Sequence, residues 1–198
     1  MFAILVSVRL AIMNAHPIIL DVDTGFDDAF AVLFAALSPE VELLGITCVD
    51  GNTNVHQVVS NTLKVLDAAN SAEIPVAIGA TKPLVEEPLY AEHIHGKDGM
   101  GDLGLPESNR KIDPRSAVEL LRDLVEARPN EITLVPVAPL TNIANFITTF
   151  PESAKKLKDI CLMGGSAPDS VRIHCLMCLF GRFRAHRIMS PPVIVGAS

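Results

Sequence analysis

The segment DVDTGFDD at 21–28 carries four carboxylates, Asp21, Asp23, Asp27 and Asp28, in eight residues. It joins an apolar run to an apolar helix-like segment. Like charges at this spacing repel, and a buried unpaired carboxylate is costly, so a bound cation is the simplest compensation. An all-oxygen donor set selects a hard ion such as calcium or magnesium, not zinc. A helix N-terminus beside the cluster adds a favourable field for acids in its first turn. The bland alternative is that Asp27 or Thr24 caps the helix and the remaining acids are solvated. Capping accounts for one of these residues and leaves the others unexplained.

The elements that must position these groups alternate regularly. PIILDVD (17–23) reads as a buried strand, DDAFAVLFAALS (27–38) as a helix and VELLGITCVD (41–50) as a second strand. A helix over 54–70 follows, with apolar residues at Val55, Val58, Val59, Leu63, Leu66 and Ala69, and then a short strand over 74–79. Prolines and glycines break the pattern between 80 and 112, a length that in a compact domain marks function or disorder. It resumes with a helix near 114–127, a strand over 131–137, a helix over 139–150 and a strand over 159–164. The expected fold is α/β, a mostly parallel open sheet with helices on both faces. Such sheets bind ligands beyond the carboxyl ends of their strands. Those ends carry Asp21, Asp23, Asp50, Gly51, Asn52, Val137, Met163 and Gly164.

Composition narrows the class of ligand. The chain has 198 residues, 49% apolar and 20% charged, enough for one domain with a sizeable core. A net charge of −7 argues against a nucleic-acid partner, since such binding is dominated by Lys and Arg contacts to phosphate. No apolar run reaches the length needed to span a bilayer. The N-terminal run MFAILVSVRLAIMNAHP lacks a positive n-region and is interrupted by Arg9, unlike a secretory signal. Cys48, Cys161, Cys175 and Cys178 suit buried free thiols better than a disulfide framework, which fits a reducing, cytoplasmic setting. A soluble protein acting on a small molecule is expected, and a homo-oligomer is compatible with it.

With those residues in place, ILDVDTGFDDAFAVLFA resembles the signature of the inosine-uridine-preferring nucleoside hydrolases, DxDPGxDDxxA, with Thr24 where proline is common. GITCVDGN (45–52), HIHGKDGMGD (93–102), ITLVPVAPLTNIA (132–144) and ICLMGGS (160–166) continue the resemblance in order. It implies one calcium ion at the base of a pocket, holding the attacking water and the ribose hydroxyls. Asp23 and Asp28 resemble metal-binding carboxylates, Asp23 also resembling the general base. Asp27 and Asn52 match groups at the ribose, Asp21 a supporting acid, and the Val137 carbonyl a further calcium ligand. His95, and less so its neighbour His93, would lie over the pocket as substrate contacts, and Met163 matches a pocket residue. The implied reaction is ribonucleoside plus water giving ribose and free base through an oxocarbenium-like state, with water attacking directly.

Three regions follow: an N-terminal extension at 1–16, the hydrolase-like domain at 17–166, and a divergent tail at 167–198. Residues 1–165 carry 12 Lys+Arg against 22 Asp+Glu, whereas residues 166–198 carry 4 against 1. The tail lacks the later Asn- and Glu-containing segment, the late histidine and the last metal-binding aspartate that the resemblance implies. Without them the chain is expected to be short of a calcium ligand and of an acid for the departing base, with an open sheet edge and exposed apolar surface. His174, Cys175, Cys178 and His186 admit a weak zinc-knuckle reading. Two rival functions are a haloacid-dehalogenase-like phosphatase, with Asp21 as nucleophile, Asp23 as acid/base and magnesium as cofactor, and a non-catalytic truncated product.

Overall fold

A computed structural model describes residues 15–163 of the chain. The tail, its zinc-knuckle reading, and nearly all of the N-terminal extension lie outside the described residues. The elements run β1 (His16–Val22), α1 (Phe26–Leu37), β2 (Val41–Cys48), α2 (Val55–Ala68), β3 (Val76–Ile78), α3 (Glu92–His95), α4 (Ala117–Ala127), β4 (Thr133–Pro136), α5 (Thr141–Thr149), α6 (Pro151–Ala154) and β5 (Asp159–Ile160).

The five strands form one sheet in the order β3-β2-β1-β4-β5, and every pairing is parallel. From β1 the chain builds outward through β2 and β3, then returns to place β4 on the other side of β1. The reversal of strand order therefore falls between β1 and β4, where open parallel sheets form their ligand crevice. Register places Asp21 between Thr47 and Pro136, in the middle of the sheet at its carboxyl edge.

Alternation along β1 divides the core. Leu20 and Val22 pack with Val32 and Ala35 of α1 and with Val58, Val59 and Leu66 of α2. Ile19 packs on the opposite face with Leu121 and Val125 of α4 and with Ile143 and Phe146 of α5. Helices thus cover both faces of a mostly parallel sheet, as the sequence pattern predicts. Each fully buried aliphatic side chain contributes about 1.5–3 kcal/mol.

The structure departs from the expected elements in their extents and at one cap. The strand expected over 159–164 narrows to Asp159–Ile160, and the loop over 80–112 contains the single turn α3. Neither a two-residue strand nor a four-residue helix is long enough to show a period. The cap of α1 is Gly25, with no side-chain hydrogen bond, so neither Thr24 nor Asp27 caps it. Thr24 instead shares a 2.7 Å hydroxyl hydrogen bond with Thr62. On α1, Phe30, Phe34 and Leu37 stay exposed as a stripe at helical spacing.

Helix α4 begins at Ala117 because Ser116 and Glu119 form a reciprocal capping box. The Ser116 amide donates to Glu119 Oε2 at 2.9 Å. Replacing Ser116 by Ala should cost about 1 kcal/mol, the usual value of such a cap, read as a lower midpoint in urea. A midpoint equal to that of the parent would show that packing alone fixes the start of α4.

Candidate functional site at the strand ends

The central strand delivers Asp21 into the interior. Its Oδ1 accepts from Thr47 Oγ1 at 2.5 Å and from Asn142 Nδ2 at 2.8 Å. Its Oδ2 is buried without a partner among the described residues. Burial pushes the carboxyl up to about 7, against the opposing effect of the Thr47 and Asn142 hydrogen bonds. The backbone is fixed as well, since the Val137 amide donates to the Asp21 carbonyl at 3.0 Å. Val137 therefore begins the β4 loop directly beside the end of β1.

Past the strand end, Asp23, Asp28 and Asn52 come together. The Asp23 amide donates to Asp28 Oδ2 at 2.8 Å, and Asp23 Oδ2 accepts from the Asn52 amide at 2.8 Å. Asn52 Nδ2 reaches back to the Asp23 carbonyl at 3.3 Å. Gly51 makes the approach possible, because a Cβ there would sit 2.1 Å from Asp23 Oδ2. Both carboxylates are buried. Burial raises both above the usual carboxylate range, Asp28 to about 9, with repulsion from Asp23 as its next cause. Among the described residues no Lys, Arg or His forms an ion pair with Asp21, Asp23, Asp27 or Asp28. Such a pair holds either a proton or a cation.

The four acids neighbour one another but do not all face one point, so a single ion does not compensate all four as their spacing alone suggested. Asp21 lies on the α4–α5 face of the sheet, and Asp27 is exposed in the first turn of α1. Among the described residues no three His, Cys, Asp or Glu side chains converge as a metal-holding group. Two converging carboxylates fit a hard cation in donor type. They do not by themselves complete its shell.

His95 approaches the same place from α3. A Cβ on Gly25 would lie 2.7 Å from His95 Nδ1 and 2.9 Å from Asn52 Nδ2, so glycine at the α1 cap leaves room for both side chains. His95 Nδ1 is buried with no partner among the described residues. Its ring is 6.1 Å from that of Phe26, and its carbonyl accepts from the Gly101 amide at 2.7 Å. The glycine-rich turn that follows needs positive φ at Gly96, Gly99 and Gly101, and Asp98 Oδ1 ties it by accepting from the Met100 and Asp102 amides. His93 is exposed, and Met163 is half-exposed beyond β5 with its amide donating to the Pro136 carbonyl at 3.1 Å.

Four buried polar residues that support the site were not singled out by the sequence pattern. Asn61 donates to the Thr24 and Asp98 carbonyls, Thr62 meets Thr24, and Thr47 and Asn142 hold Asp21. For Asn61 and Thr62 a signal existed, since both fall within the apolar arc of α2 where a polar side chain needs a specific partner.

The profile of the inosine-uridine preferring nucleoside hydrolases matches residues 18–173. The chain is 47% identical over 150 residues to the inosine-uridine preferring nucleoside hydrolase of Leishmania major, covering 75% of this chain and 48% of that protein. The enzyme of the same description from Crithidia fasciculata gives the same identity, 47% over 150 residues, and the same coverage, 75% and 48%. Among solved structures, the purine-preferring ribonucleoside hydrolase from Gardnerella vaginalis superimposes with a TM-score of 0.72 at 37% identity, over 76% of this chain and 49% of that one. The chain spans about half the length of the curated relatives it matches.

Proposed function

The chain belongs to the inosine-uridine preferring nucleoside hydrolase family, and from that membership we propose that its strand-end site serves the hydrolysis of a ribonucleoside to ribose and free base. The observation that carries this reading is the buried Asp23–Asp28 pair, without an ion-pairing cationic side chain among the described residues, at the ligand-binding edge of a parallel sheet.

In this reading Asp23 and Asp28 and the carbonyl of Val137 would hold a calcium ion. When bound, calcium supplies positive charge that offsets the carboxylates and makes a neighbouring water more acidic. Asp23 takes the proton from the attacking water, and the Asn52 amide on its Oδ2 keeps the carboxylate aimed. Asp27, exposed beside the pair, and Asn52 contact the ribose, where negative charge favours the oxocarbenium-like state. His95, with a free buried nitrogen, offers a polar contact to the substrate. Met163 lines the pocket near the base. The domain assignment at 17–166, a cytoplasmic location and a homo-oligomer belong to the same proposal. No helix among the described residues is long and apolar enough to cross a membrane.

The phosphatase alternative fails on geometry. Its nucleophile would be Asp21, which is fully buried with one oxygen held by Thr47 and Asn142. A nucleophile must reach a substrate phosphorus atom, and this carboxylate faces the interior. The non-catalytic reading is decided by experiment: ribose release from inosine, uridine, adenosine and cytidine, with calcium and with chelator. Calcium-dependent release establishes the hydrolase. A folded sample that stabilises with calcium yet releases no ribose establishes an incomplete one.

A further inference from the structure

Asn142, the second residue of α5, is fully buried and touches no candidate substrate contact. Its single amide nevertheless joins three strand ends. Nδ2 donates to Asp21 Oδ1 on β1 at 2.8 Å and to the Cys48 carbonyl ending β2 at 3.0 Å. Oδ1 accepts from the Ala80 amide, just beyond β3, at 2.8 Å. A carbonyl can only accept and a backbone amide can only donate, so the orientation of the side chain is fixed by its partners.

The backbone around it is shaped to admit that amide. A Cβ on Gly79 would lie 2.2 Å from Asn142 Oδ1 and 2.4 Å from the Cys48 carbonyl. Each of the three contacts leads to a site residue by a short path. Asp21 precedes Asp23 by two residues, and its carbonyl accepts from Val137. The Ala80 carbonyl accepts from the Asp50 amide at 3.0 Å, and Asp50 leads through Gly51 to Asn52, whose amide holds Asp23. A fully buried amide on a helix face otherwise occupied by Ile143, Phe146 and Ile147 needs all its partners to be tolerated.

The geometry points to Asn142 as a positioning residue for the hydrolytic site, acting through Asp21 and the β2 and β3 ends to set Asp23 against Asn52. This role rests on the hydrolase reading above. It predicts a larger loss in turnover than in substrate affinity, because the amide itself does not touch the nucleoside and reaches the ribose contact Asn52 only through the backbone.

The test compares Asn142→Ala and Asn142→Leu, the second keeping the buried volume so that a folded protein is obtained. In a folded variant kcat should fall about 10- to 100-fold with KM within about threefold. Combining Asn142→Leu with Asp21→Asn should lower kcat no further than the more damaging single change, because both act on one coupled unit. An unchanged kcat, or losses that multiply, overturns the proposal, and a merely structural role would lower stability alone. If the parent releases no ribose, the hydrolase reading has failed first. The exchange rate of the Asn52 amide and the calcium-induced rise in melting temperature then decide: both should change in Asn142→Leu, and parent-like values in both overturn the positioning role.

Discussion

Asp23→Asn is expected to abolish nucleoside hydrolysis and, in the same sample, to stabilise the calcium-free fold. The substitution keeps the shape of the side chain and the acceptor that Asn52 needs, so the local hydrogen bonds survive. It removes the proposed base, and a positioned general base contributes about 10²- to 10⁴-fold in rate. It also removes the Asp23 charge, whose repulsion is among the causes that keep the buried Asp28 carboxyl protonated, at a place where no Lys, Arg or His among the described residues forms an ion pair with either acid. Relief of that repulsion should raise calcium-free stability by about 1–2 kcal/mol, a modest share of what burying such charges costs. Two measurements on one preparation check both halves: ribose release in calcium, and urea unfolding in chelator. Activity within tenfold of the parent would remove Asp23 from the role of base. A lower midpoint in chelator would show that the carboxylate, not its repulsion, dominates the fold.

That opposition between function and stability explains why part of the site was legible in the sequence. Asp23 and Asp28 are costly where they stand, so four acids between two apolar segments already marked the place where a compensating ion is proposed. The parallel sheet followed from short strands alternating with longer helices, and its ends named Asn52 and Val137. What the sequence concealed was the division of the acids. Period-two alternation would put Asp21 and Asp23 on one face, but β1 ends at Val22 and the chain turns as the Asp23 amide meets Asp28. Asn142 was hidden for a different reason. Its partner Asp21 lies 121 residues away, and a lone asparagine in the first turn of a helix has ordinary local uses. His95 stands between these cases: the glycine-rich segment suggested a loop over the pocket, while its approach to Asn52 depends on the missing side chain of Gly25.

The same buried acids fix how stability should depend on pH. Burial holds Asp21 near 7 and Asp28 near 9, both above their unfolded value. Below about pH 3 the carboxyls are protonated in both states and contribute nothing. As pH rises, the unfolded chain sheds those protons while the folded chain keeps them, so stability in chelator should decline from about pH 5 to pH 8. The surface acids paired with Arg or Lys, such as Asp113 and Asp123, have lowered values and lose their contribution only at more acidic pH, outside this window. At the proposed site calcium would compete with protons for Asp23 and Asp28 and bind more tightly as pH rises, so it should reverse most of the decline. At a hundredfold excess over its dissociation constant a ligand adds about 2.7 kcal/mol, or roughly 5–10 °C in melting temperature for a chain of this size. The gap between calcium and chelator melts should therefore be small at pH 5 and widen toward pH 8. A residual decline between about pH 5 and pH 7 should persist in calcium, because Asp21 faces the sheet interior and not the cation. Asp21→Asn should abolish that residue of slope while leaving the calcium-dependent gap. Melting temperatures in chelator that climb from pH 5 to pH 8 would contradict the burial of these carboxylates as protonated acids. A gap that stays constant across that range would separate calcium binding from Asp23 and Asp28.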